Sequence, residues 1–240
     1  MADIKRKAKV IAIVAAGGKG QRLGSRLAKT FVLINKRPIL FFALSSLTQH
    51  PLINEIILVT SRKTLFAAKR LVEKYRFKKV KHIVVGGRTR KASVSNGLKK
   101  IRGDKHTFVL IHDAARPFLN RSLINRVVNE AFRYNASICA VPAKCTIKSL
   151  KRSNKHLFIK NTLDRSLLCE VQTPQVFRLD LLKRAFSKGA HQDATDDAAL
   201  VERLKVKVGV VNGSYSNIKI TTCDDLLFAR AIAKQFKYST

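Results

Sequence analysis

Short apolar runs rich in β-branched residues alternate along this chain with segments of helical period, and no other feature restricts the fold as strongly. Runs such as IILVT and FVLIH are apolar almost throughout, which fits strands buried on both faces. The pattern predicts strands at Val10–Ala15, Glu55–Thr60, Val80–Val85, Thr107–His112, Ser137–Val141, Val206–Val211 and Asn217–Thr221. Helices are expected near Pro38–Gln49, Arg62–Tyr75, Lys91–Ile101, Arg121–Tyr134, Asp180–Ser187, Asp196–Leu204 and Asp224–Lys237, with Pro38 at a first helical position. Strands joined through helices imply an α/β fold with a doubly wound, mostly parallel, Rossmann-like sheet. Ala143–Thr162 breaks the pattern, being polar, basic and without helical period. It is expected to leave the sheet as a protruding β-arm, so that residues 1–240 form one domain with an arm at 143–162.

Composition narrows the class. The 46% hydrophobic content of a 240-residue chain is enough for a core without disulfide or metal staples. Cys139, Cys145, Cys169 and Cys223 form no CxxC pair, which argues against structural zinc and fits reduced thiols in a cytoplasm. No apolar run approaches the roughly 20 residues of a membrane span. The formal charge of +33 demands a phosphate-bearing partner or marks a general drift towards lysine. Lys and Arg are spread evenly, 27 before residue 121 and 21 from there on. Aromatic residues are only 7%, without the stacking run of an RNA reader, so a specific nucleic-acid partner is not expected.

The first strand runs into Ala15-Ala16-Gly17-Gly18-Lys19-Gly20-Gln21-Arg22-Leu23-Gly24. Ligands of doubly wound sheets bind outside the carboxyl ends of strands, and glycines there let backbone N–H groups approach phosphate. The loop fails as a dinucleotide G-x-G-x-x-G, because Leu23 stands where the third glycine belongs, and as a Walker A, because Ala28 precedes Lys29-Thr30. A tight turn would explain one or two glycines, but not four interleaved with Lys19, Arg22 and Lys29.

Strand, AAGGKGQRLG and Lys29 together resemble the opening of nucleotidyltransferases that activate sugars and polyols. Further segments sharpen the likeness: Gly86-Gly87-x-x-Arg90-x-x-Ser93-Val94, His112-Asp113-Ala114-Ala115-Arg116-Pro117, Thr146-Ile147-Lys148, Gln172-Thr173-Pro174-Gln175-x-Phe177, Thr195-Asp196-Asp197-Ala198 and Asn217-Ile218-Lys219-Ile220-Thr221. In that order, over nearly the whole chain, they resemble the 2-C-methyl-D-erythritol 4-phosphate cytidylyltransferase family. The resemblance implies CTP and a polyol phosphate as substrates, Mg²⁺ or another divalent cation as cofactor, and a homodimer built through the arm. It implies that Arg22 and Lys29 stabilise the transition state. Ala15, Ala16, Gly17, Gly18, Gly20, Gly87, Arg90 and Ser93 would surround the nucleotide. Asp113, Arg116, Thr146, Thr173 and Thr195 would bind the acceptor, with Asp113 also the candidate metal ligand. Arg165 and Lys219 would hold the acceptor phosphate for attack. Read without the resemblance, Asp113 is a helix cap or a loop ion pair with Arg116, and His112 is either a hydrogen-bonded core histidine or a neighbour of the ligand. Ala28 and Thr30 stand where the family has Pro and Gln, Cys145 where it has Asp, and Cys169 where an aromatic residue is common. A ribitol 5-phosphate cytidylyltransferase shares the loop and chemistry, and is the nearest competing expectation.

Overall fold

The computed structural model describes residues 8–18, 28–189 and 194–235. In chain order its elements are β1 (Lys9–Ala15), β2 (Leu33–Ile34), β3 (Arg37–Pro38), α1 (Ile39–Gln49), β4 (Glu55–Thr60), α2 (Leu65–Lys74), β5 (Val80–Val85) and α3 (Arg90–Leu98). They continue with β6 (Thr107–Asp113), α4 (Arg121–Tyr134), β7 (Ala136–Pro142), β8 (Ile147–Ser153), β9 (His156–Leu163) and β10 (Cys169–Arg178). Last come α5 (Leu179–Lys188), α6 (Ala198–Glu202), β11 (Gly209–Asn212) and α7 (Cys223–Gln235).

Seven strands form one sheet in the order β11-β7-β10-β6-β1-β4-β5. The pairs β1–β4, β1–β6, β4–β5 and β7–β11 are parallel, and β10 runs antiparallel between β6 and β7. Alternate residues of β1 serve two cores. Val10, Ala12 and Val14 pack with α1, α2, α4 and α7 on one face. Ile11 and Ile13 pack with α3, α5 and α6 on the other. This is why the strand sequence shows no polar alternation: both faces are covered, and each buried Val or Ile contributes ~1.5–3 kcal/mol. The doubly wound expectation holds. The strands β8 and β9 pair only with each other as a hairpin over Ile147–Leu163, outside the seven-stranded sheet.

Three details differ from the sequence reading. Pro38 is an extended N-cap at φ −60, ψ 145, and the helix begins at Ile39. Asn217–Thr221 is no strand; its Ile220 N–H donates to Ala115 O, and the Asn217 amide donates to Thr173 O at 2.9 Å and Gln172 Oε1 at 3.2 Å. Its alternation is real, but the polar side chains are engaged locally, Asn217 buried against β10 and Lys219 paired with Asp113 at the solvent edge, and no ladder forms. Strand β10 was not anticipated, because Pro174 removes a ladder donor in the middle of it. The register shift between Val171 and Gln175 takes that proline out of the ladder.

Candidate active site

The site forms where β1, β4 and β6 end together. Ala15 lies opposite Asp113 in the β1–β6 register, so both are at the carboxyl edge of the sheet. Beyond Ala15, Ala16 N–H donates to Val59 O at 2.7 Å, fixing the start of the glycine loop against β4. Gly17 and Gly18 follow; Gly20 and Arg22 lie outside the described residues. The chain resumes as a 3-10 turn over Lys29–Phe31. Thr30, buried, donates from Oγ1 to Ala16 O at 3.4 Å, which ties the Lys29 segment back to the end of β1. Ala28 caps this turn at φ −59, ψ 135, dihedrals that a proline would also adopt.

A second loop, Gly86-Gly87, joins β5 to α3. A Cβ at Gly86 would stand 2.6 Å from Ser93 Oγ, and one at Gly87 2.4 Å from Ala92 Cβ, so neither position admits a side chain. Ser93 Oγ accepts from Gly87 N–H at 3.1 Å and donates to Thr89 O at 2.9 Å. Thr89 caps α3 by accepting from Ala92 N–H. Ser93 therefore holds the shape of this loop.

Arg90, at the start of α3, enters an alternating row of charges. Its Nε donates to Asp113 Oδ1 at 2.9 Å and its Nη1 to Asp197 Oδ2 at 2.7 Å. The other oxygen of Asp113 accepts from Lys219 Nζ at 2.6 Å. Burial alone would raise the Asp113 pKa, but Arg90 and Lys219 hold it well below the usual carboxylate range. Asp197, fully buried, has one cationic partner among the described residues, and desolvation pushes it up to about 6. The ion-pair partner proposed for Asp113 from sequence, Arg116, is thus replaced by Arg90 and Lys219. Arg116 instead donates from Nη1 to Asn217 O at 2.7 Å. Among the described residues, Arg90 Nη2 and Arg116 Nε are buried without an acceptor, leaving two cationic donors that an anionic ligand would satisfy.

His112 is a core histidine. Its Nε2 donates to Arg116 O at 3.0 Å, so Nδ1 is left to accept from Thr173 Oγ1 at 3.1 Å. Thr173 Oγ1 in turn accepts from Asp113 N–H at 3.1 Å. Complete burial drives the His112 pKa down to about 4, and the ring stays neutral. The row fixes Thr173, Arg116 and the Asp113 backbone in one frame.

Asp113, Arg116, Thr173 and Lys219, predicted from sequence as acceptor residues, therefore come together. Thr146 and Arg165 do not join them within this chain. Both are exposed at the root of the hairpin, where Arg165 Nη1 donates to Lys144 O at 2.9 Å. Thr195 is exposed, one residue before Asp196. Sequence reasoning left out Asp197, Asn217 and Gln172 as site residues. One signal pointed to Asp197: in a chain with only 15 Asp and Glu against 48 Lys and Arg, an acidic doublet before an apolar helix marks a place where cations need a partner.

Among the described residues no three His, Cys, Asp or Glu groups are placed to hold a metal. Asp113, the carboxylate at the carboxyl end of β6, already has an N–H donor on each oxygen. That set fits Mg²⁺ carried in on phosphate oxygens, since this ion commonly keeps its waters and uses one or two carboxylates beside substrate phosphates. It does not fit a cage built by protein alone.

A Rossmann-like sheet with a glycine loop after β1 and a cationic crevice at its carboxyl edge defines a nucleotidyltransferase. The family model for 2-C-methyl-D-erythritol 4-phosphate cytidylyltransferase matches residues 10–235. The chain belongs to this family. Curated relatives of that name include one from Syntrophus aciditrophicus, 45% identical over 95% of this chain and 97% of the relative. Another, from Alkaliphilus metalliredigens, is 41% identical over 95% of each chain. Among solved structures, the 4-diphosphocytidyl-2C-methyl-D-erythritol synthase of Anaerococcus prevotii superposes with a TM-score of 0.83 at 31% identity, covering 97% of this chain and 99% of its own.

Proposed function

We propose that this chain transfers CMP from CTP to 2-C-methyl-D-erythritol 4-phosphate, giving 4-diphosphocytidyl-2-C-methyl-D-erythritol and pyrophosphate for non-mevalonate isoprenoid synthesis. The observation that carries the reading is the convergence of Asp113, Arg116, Thr173 and Lys219 beside the end of β1, where the glycine loop begins.

An oxygen of the acceptor phosphate attacks the α-phosphorus of CTP. The bond from that phosphorus to the oxygen bridging to the β-phosphorus breaks, and pyrophosphate leaves with the electron pair. Two anions must meet and negative charge grows on the leaving group, so catalysis is positioning plus fixed positive charge. Lys29 and Arg22 supply that charge along the triphosphate. Gly17, Gly18 and Gly20 line it, with Ala15 and Ala16 leading the backbone up to the nucleotide. Gly87, Arg90 and Ser93 frame the cytosine and ribose in a turn too tight for bulkier side chains. Lys219 and Arg116 draw in the acceptor, with Thr173, Thr195 and Thr146 toward its hydroxyls. Asp113 would be the carboxylate to hold a Mg²⁺ arriving with the phosphates, which would add charge neutralisation.

In this reading the arm belongs to a homodimer, in which Arg165 of one protomer completes the acceptor-phosphate site of its partner. Residues 1–240 act as one nucleotidyltransferase domain with 143–162 as that arm. We place the enzyme in the cytoplasm; among the described residues no helix is long and apolar enough to cross a membrane. The test is pyrophosphate release with CTP or ATP against a panel of polyol phosphates. Turnover with CTP and methylerythritol phosphate is expected to exceed every other pair. Preference for ribitol 5-phosphate, or equal kcat/KM for ATP, would overturn the assignment.

A further inference from the structure

The charges at the crevice form a chain with a buried end. Asp197 is 1% exposed and sits at the N-cap of α6. Its only ionic partner among the described residues, Arg90, belongs to α3, and Arg90 shares Asp113 at the end of β6 with Lys219 on the loop after β11. Two anions and two cations alternate; both carboxylates are buried, at 1% for Asp197 and 9% for Asp113, and the row ends in solvent at Lys219, whose side chain is 40% exposed. The buried end is itself secured from the sheet: Gln175, fully buried in β10, donates to Asp196 Oδ2 at 2.7 Å and accepts from Ala198 N–H at 3.2 Å. Asp197 thus lies behind Arg90, away from the solvent-facing end where an acceptor phosphate would arrive.

We propose that Asp197 is a positioning residue for Lys219. By engaging Arg90 from behind, it leaves one oxygen of Asp113 available to orient the Lys219 ammonium. A buried guanidinium that loses one of two carboxylates draws harder on the one that remains. Without the Asp197 charge, Arg90 takes Asp113 more fully, and Lys219 loses its anchor. Released from Asp113, the Lys219 amine is open to reagents in solvent. The effect on catalysis rests on the acceptor role proposed for Lys219; the effect on Lys219 itself does not.

The experiment uses Asp197→Asn, which keeps an acceptor oxygen, and Asp197→Ser as a smaller second variant. Lys219 is labelled with an amine-acylating reagent and quantified by mass spectrometry, with exposed Lys99 as internal reference. Contacting charges commonly couple at the level of a severalfold to roughly hundredfold change, so Lys219 labelling relative to Lys99 is expected to rise about tenfold. In parallel, KM for the polyol phosphate should rise about tenfold while KM for CTP stays within about threefold. A double variant with Lys219→Met should lose no more kcat/KM than Lys219→Met alone. Unchanged labelling in a folded Asp197→Asn protein, or penalties that simply multiply in the double variant, would overturn the proposal. If labelling rises but the wild type turns over no polyol phosphate, the ionic chain stands and the functional assignment fails.

Discussion

Two regions that serve the same predicted ligand are built in opposite ways. At the end of β6, Asp113 and Thr173 are buried, Arg116 is nearly so, and every one has hydrogen-bond partners inside the chain. At the root of the hairpin, Thr146 and Arg165 are exposed, and the hairpin above them turns Leu150, Leu157, Phe158 and Ile159 to solvent at 50% exposure or more. The first region is finished within one chain. The second spends apolar residues on water, which is unfavourable unless another surface covers them. The contrast teaches that four of the proposed acceptor residues, Asp113, Arg116, Thr173 and Lys219, are set by the fold of one chain, while Thr146 and Arg165 are not.

The largest effect should come from the chain's own cleft. Lys29→Ala is expected to lower kcat by ~10²–10³ at any protein concentration, since a charge aimed at a transition-state oxyanion carries that much. A residual kcat above about a tenth of wild type, measured with both substrates saturating, would make Lys29 a bystander. Next, Lys219→Ala and Arg165→Ala should each weaken methylerythritol phosphate by ~10²-fold and CTP little. Because they are proposed to share one phosphate, the double variant should depart from additivity by more than ~0.5 kcal/mol. Strict additivity would separate the two regions entirely.

A third change acts on the arm alone. Leu157→Ser with Phe158→Ser removes exposed apolar surface and leaves the cleft untouched. Activity is expected to fall about tenfold at nanomolar enzyme and to recover at micromolar enzyme, following the dimer fraction by mass action. Sedimentation of the same samples checks it; a concentration-independent loss would contradict a dimeric role for the hairpin.

The smallest effect is expected from pH. Between pH 6.5 and about 4 the unfolded chain protonates His112 and the folded chain does not, so stability falls on acidification through that window. Asp197 acts oppositely: its folded pKa of about 6 exceeds the unfolded 3.8, so stability rises as pH drops from 6 towards 3.8. Each amounts to about 3 kcal/mol at full extent, and from pH 6 to 4 they largely cancel. Urea midpoints at pH 7, 6 and 5 should therefore change little in the wild type. Asp197→Asn should steepen the acid loss, and His112→Gln should reverse it.

How much was legible in the sequence follows from what kinds of residue carry each feature. The buried parallel strands could be read because both of their faces select apolar residues. Strand β10 could not, since Gln172, Thr173, Pro174 and Gln175 are polar or ladder-breaking yet all four are buried, the three polar side chains each satisfied by a partner far along the chain. Asn217–Thr221 misled for the same reason in reverse. The site's nucleotide loops were visible through their glycines, whereas the pairing of Asp113 with Arg90 and Lys219 rather than Arg116 required three-dimensional proximity. Asp197 stood in a recognised motif, but its burial was invisible from spacing. Gly20 and Arg22 lie outside the described residues and keep the standing of expectations.

The margins of the sheet have a consequence for life at high concentration. Unpaired strand edges invite other chains to add on, and long flat ones seed aggregates. One margin here, β11, is only four residues long and is followed by Gly213. The other, β5, carries exposed Lys81 and His82 and is entered through Lys78 and Lys79. Adding a second copy there would bring like charges together. The lysine-rich surface thus gives this fold a colloidal defence where its backbone is most open to misassembly, independent of any substrate it attracts.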